Sequence, residues 1–108
     1  LMVEHSERRE SVRVPMDFLV ASPSGQWTQV GGDLSINGMC LKGLSPYRFM
    51  PLISVSVQLP DELQPRRLQA VIKRYFIADD QVQAAATFEA MNFDAEVAIA
   101  RCIDAYRP

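Results

Sequence analysis

A chain of 108 residues with 48% hydrophobic and 22% charged residues has the size and composition of one globular domain that needs no disulfide or metal staple. A net charge of −2 disfavours generic nucleic-acid binding, which needs clustered cations. No apolar run reaches membrane-spanning length and no signal-peptide core opens the chain, so a cytoplasmic domain without membrane insertion is expected.

Residues 1–13 form a polar arm, and a folded domain is expected over 14–108. Val12, Val14, Met16, Phe18 and Val20 alternate with polar or edge-tolerated residues, the mark of a strand with one buried face. Ser22-Pro-Ser-Gly25 is a turn, and Trp27 to Leu34 returns as a second strand with Val30 and Leu34 facing in. Asn37-Gly38 reads as a tight turn because both residues tolerate positive φ. Met39 to Leu41 is a short strand, followed by a loop to Pro51. Ile53, Val55, Val57 and Leu59 give the cleanest alternation, and Arg67–Ile77 and Val82–Phe88 make a hairpin around Ala78-Asp79-Asp80. After Asn92, an N-cap candidate, the period becomes helical, with Phe93, Val97, Ala100 and Ile103 as the apolar stripe and Ile99 and Tyr106 widening it. The fold class is therefore mainly β: six short strands in an antiparallel barrel, with a C-terminal helix laid over an open end. That stripe is expected to be core; a helix-mediated homodimer is its secondary use.

Catalytic chemistry finds little support. His5, the single histidine, lies in the polar arm without a structured partner, and no Walker or Rossmann glycine loop occurs. No catalytic residue, metal ligand or cofactor is expected. Cys40 and Cys102 read as small buried hydrophobes in a reducing compartment.

Two stretches carry binding chemistry. Asp33-Leu-Ser-Ile-Asn-Gly38 places a carboxylate, a hydroxyl and a carboxamide at a strand end, although Asx and Ser side chains equally serve their own turns. Arg8, Arg9 and Arg13 precede the first strand among offsetting glutamates, an arrangement otherwise typical of solvated surface. If residues 14–21 and 26–33 form a hairpin, residue i pairs near 47 − i, which brings Arg13 beside Leu34 and unites the two stretches at one end of the barrel. Guanidinium forks suit phosphates and guanidinium planes stack on bases, while Asp33 accepts from an amine edge; together they point to a nucleotide.

Arg9-x-x-x-Arg13 followed by Asp33-x-Ser35-x-x-Gly38 resembles the paired signatures of the PilZ domain, a family of bacterial receptors for cyclic dimeric guanosine monophosphate (cyclic di-GMP). The resemblance extends over nearly the whole chain and implies a non-catalytic second-messenger receptor of the kind that regulates biofilm formation and motility. It implies that Arg9 and Arg13 contact phosphates and guanine faces, that Asp33 and Ser35 hold the guanine or ribose side, and that Gly38 allows close backbone approach. Arg8, just ahead of the first signature, would favour a stacked pair of ligand molecules. One departure is Ala85, where the family often has Gly three residues before the Phe that here is Phe88.

On this basis the arm is expected to fold across the barrel mouth on binding and to present a new surface to a downstream protein or a covalently linked effector domain. The alternative is a PilZ-like protein-interaction module with weak or lost ligand binding. An oligonucleotide-binding barrel, using Trp27, Tyr47, Phe49, Tyr75 and Phe76 with Arg66, Arg67, Lys73 and Arg74, ranks last.

Overall fold

The computed structural model describes residues 12–21, 25–43, 51–60 and 62–105. Among the described residues, six strands, β1 (Val14–Ala21), β2 (Trp27–Leu34), β3 (Gly38–Lys42), β4 (Leu52–Val57), β5 (Arg66–Ala78) and β6 (Gln81–Glu89), precede one helix, α1 (Phe93–Ala105). Every pairing is antiparallel, and the order β1-β2-β3-β6-β5-β4 closes where Val20 meets Val55. Closure removes exposed sheet edges.

The alternation read from the sequence is the alternation that fills the barrel. Val14, Phe18 and Val20 of β1, Val30 and Leu34 of β2, Ile53, Val55 and Val57 of β4 and Leu68, Ala70 and Ile72 of β5 are all buried in one cluster. Asp79 and Asp80 carry φ of 53° and 59° between the paired Ala78 and Gln81, the backbone a two-residue hairpin requires for its twist.

Three details differ from the sequence-based expectation. In the first hairpin Val14 faces Leu34, so residue i pairs with 48 − i rather than 47 − i. Residues 22–26 form an odd-length connection, with Gly25 at φ 87°, and only an even sum keeps the buried even-numbered residues of both strands on one face. The second difference is the turn after β2. Ser35 donates its N–H to the Gly38 carbonyl at 2.9 Å, so the loop residues are Ile36 and Asn37, and neither Asn37 nor Gly38 has positive φ. Gly38 instead begins β3, where a Cβ would run into the Ala86 carbonyl oxygen of β6.

The third concerns α1. Ala95, Ile99, Cys102 and Ile103 are the buried residues, while Phe93 is 78% exposed. Apolar residues ring much of this helix, so periodicity alone leaves its rotation open. Polar anchors hold its first turn. Asn92 Oδ1 accepts from Ala95 N–H at 2.8 Å, the expected N-cap, and Arg66 at the start of β5 bonds both Glu62 and Asp94. These partners hold the Arg66 guanidinium protonated well beyond its ordinary range, the Glu62 hydrogen bonds first and Asp94 second.

Candidate functional site

The barrel end that carries Arg13 and the 35–38 turn is the end that α1 approaches. Its Asp94 pairs with the first residue of β5, and Val97 and Ala100 share a pocket of about 480 Å³ with Ile36, Asn37, Phe88 and Met91. The mouth expected to receive the arm therefore has the helix beside it, and the polar residues of interest stand on the outer wall.

There the two signature stretches meet. Pro15 of β1 is directly opposite Asp33 of β2, and from two residues upstream the Arg13 guanidinium donates to Asp33 Oδ1 at 2.8 Å. The arginine side chain is 50% exposed and the carboxylate 22%, so the guanidinium stands in solvent over a partly covered carboxylate. Arg8 and Arg9 lie outside the described residues.

Ser35 and Gly38 shape the next turn. Ser35 is buried, and its hydroxyl, like its N–H, donates to the Gly38 carbonyl, at 3.2 Å. The Asn37 carbonyl accepts from Phe88 N–H on β6 at 3.2 Å, which pins the loop to the neighbouring strand. In the structure Ser35 and Gly38 thus act as the frame that holds Asp33 at a fixed strand end, the turn chemistry that a serine at such a position also allows.

Beside Asp33 the wall continues in register. Asp33 faces Cys40 of β3, Cys40 faces Ala85 of β6, and Ala85 faces Arg74 of β5. Met39 and Leu41 point into the core, so Cys40 between them belongs to the outer side, where its thiol donates to Gln83 Oε1 at 3.2 Å. Both Cys40 and Gln83 are buried, and neither Cys40 nor Cys102 is in a disulfide among the described residues. Burial pushes the Cys40 thiol upward and the nearby Asp33 charge adds to this, against the cations Arg13, Lys42 and Arg74. Cys40 is buried as the sequence suggests, but on the wall rather than in the barrel. Simple alternation with Met39 and Leu41 carries that signal, as alternation with Ala84 and Ala86 does for Gln83.

In the basic patch of the oligonucleotide reading one arginine is committed to an ion-pair network and two others lie over aromatic rings. Arg66 is tied to Glu62 and Asp94, Arg67 lies 5.4 Å from the Trp27 ring centroid and Arg74 5.0 Å from that of Phe76, while Tyr47 and Phe49 fall outside the described residues. Among the described residues, no group of three His, Cys, Asp or Glu side chains could hold a metal, and no helix is long and apolar enough to cross a membrane.

No family model and no curated protein matches the sequence. Solved structures do match the architecture. The PilZ domain of CeSA from a cellulose-synthesizing bacterium superimposes with a TM-score of 0.58 at 21% identity, covering 85% of this chain and 92% of that one. The fold is PilZ-like. The Bacillus subtilis inhibitor of motility (MotI/DgrA) matches with a TM-score of 0.67 at 15% identity over 87% of this chain. This PilZ-like barrel spans about half the length of that protein, 49%.

Proposed function

We propose that this PilZ-like barrel is a non-catalytic cytoplasmic receptor for cyclic di-GMP, binding on the outer wall through the Arg9-x-x-x-Arg13 arm and the Asp33–Gly38 segment. The observation that carries this is the 2.8 Å contact between Arg13 and Asp33, one residue from each half of the two-part signature, on a barrel of the matching fold. A ligand with two phosphates and two guanines suits the donor set. Arg13, with Arg9 and Arg8 from the arm, offers forks to phosphate oxygens and planes to the bases. Asp33 accepts from a guanine amine edge. Ser35 and Gly38 keep the turn in place, and the Ser35 hydroxyl oxygen retains acceptor capacity.

Binding requires Arg13 to share or leave Asp33, so ligand and carboxylate compete for one guanidinium. The arm, residues 1–13, is then reset against the domain of residues 14–108, which changes the surface seen by a downstream protein or linked effector domain. A second reading, an interaction module with weak or lost ligand binding, is favoured by one observation: Ala85 places a methyl on the same wall, in line with Asp33 and Cys40.

Thermal melting with cyclic di-GMP separates them. At a hundred times Kd a ligand stabilises by about 2.7 kcal/mol, on the order of 10 °C in Tm for a domain of this size. An unchanged melt at millimolar ligand would leave the interaction module.

A further inference from the structure

The sheet is regular except at one place. Along β5, Leu68, Ala70 and Ile72 face the core, and by alternation Arg74 would follow them inward. Between Ile72, which pairs with Ala86, and Arg74, which pairs with Ala85, the register shifts by one residue. Lys73 is the extra residue, and beyond it Tyr75 takes the inward position opposite the buried Ala84. A bulge of this kind re-aims a side chain, and here it delivers Arg74 to the outer wall.

Arg74 arrives in line with the candidate site. Asp33, Cys40, Ala85 and Arg74 are successive cross-strand partners on four adjacent strands. Three inter-strand gaps put Arg74 roughly 14 Å from Asp33 along this row. The cross-strand positions between them carry two small side chains, the Cys40 thiol, which is buried and bonded to Gln83, and the Ala85 methyl. Arg74 is exposed and lies over the Phe76 ring at 5.0 Å, and among the described residues it has no carboxylate partner. Its charge reaches the same thiol that feels Asp33 and Arg13.

We infer that Arg74 is a second anion-contacting residue of this site, facing Arg13 across a floor made by Cys40 and Ala85 and binding the far phosphate or base of the dinucleotide. The inference rests on the cyclic di-GMP reading above. A compact anion held by the arm alone would not reach Arg74; an elongated ligand carrying two phosphates and two flat bases does, with both long side chains leaning inward. Ala85 then acts as floor rather than obstruction.

Titration calorimetry with cyclic di-GMP on the wild type, Arg13→Ala, Arg74→Gln and the helix-surface control Arg101→Gln tests this. Loss of one charge-assisted contact raises Kd roughly tenfold or more in Arg74→Gln, with Arg101→Gln within about twofold of wild type. If Arg13→Ala weakens binding and Arg74→Gln binds as wild type does, the inference is overturned while the receptor reading stands. If the wild type gives no heat and no displacement, the receptor reading fails and takes the inference with it. Should Arg74→Gln melt early, Arg74→Met replaces it: the unbranched stem over Phe76 stays, the charge goes, and a Kd equal to wild type again overturns the proposal.

Discussion

Replacing Arg13 with alanine removes one partner of the Arg13–Asp33 pair and, on the proposed mechanism, one ligand contact, and the two losses differ in size. Two unit charges about 4 Å apart near a protein surface attract by about 4 kcal/mol before desolvation and side-chain entropy are subtracted. For a pair whose arginine is 50% exposed, the remainder is about 0.2–1 kcal/mol of folding stability. The same guanidinium against phosphate makes charge-assisted hydrogen bonds of about 1.5–3 kcal/mol each. Arg13→Ala is therefore expected to leave urea denaturation almost where it was, a shift of under about 1 kcal/mol. It should weaken cyclic di-GMP binding roughly tenfold to a hundredfold or more in calorimetry. Asp33→Ala, combined with it in a double-mutant cycle, reports whether the two residues act on the ligand as a unit. Equal binding heats for wild type and Arg13→Ala would refute the reasoning, whatever the stability data showed.

Two further outcomes follow from the frame around the site. Gly38→Ala drives a Cβ into the Ala86 carbonyl and should destabilise the β3–β6 seam by about 1–3 kcal/mol in denaturant melts, with no relief from a turn-favouring Asn at the same position. The Cys40 thiol is held above its ordinary value of 9.0 by burial, then by Asp33. Its protonated form is thus favoured in the folded state, so its contribution to stability is complete below the unfolded pKa and is lost as pH rises through the folded one. Tm should decline above about pH 9, and Cys40→Ala should flatten that decline; a slope identical to wild type contradicts the assignment.

How much of this was legible beforehand depended on what each signal could fix. Strict alternation in Val14–Val20 and Ile53–Val57 set strand and face, because one side must be apolar and the other wet, while six strands at turn spacing suggested a barrel, closed or nearly so. The same parity carried more than the first hairpin register used: even-numbered residues buried on both β1 and β2 demand an even pairing sum, which excludes 47 − i. Gly38 was legible as a glycine but not in its cause. Positive φ and a close strand approach leave the same letter, and only the position of Ala86 distinguishes them. Helix rotation was legible in part: Ile99 and Ile103 belong to the stripe read from the sequence and are buried, whereas Phe93 at its start is exposed, because apolar residues ring much of the helix. The bulge at Lys73 left no trace, because Tyr75, Phe76, Ile77 and Ala78 are all apolar and no parity marks where the face changes. Which wall residue that shift aligns with Arg74 needed the register of β6.

An amide chemical-shift map of the chain titrated with cyclic di-GMP tests the central claim most directly. Binding on the outer wall predicts the largest shifts at Arg13, at residues 33–38 and along the row through Cys40 and Ala85 to Arg74. Shifts confined to α1 and the β4–β5 hairpin, or none at saturating ligand, would contradict it.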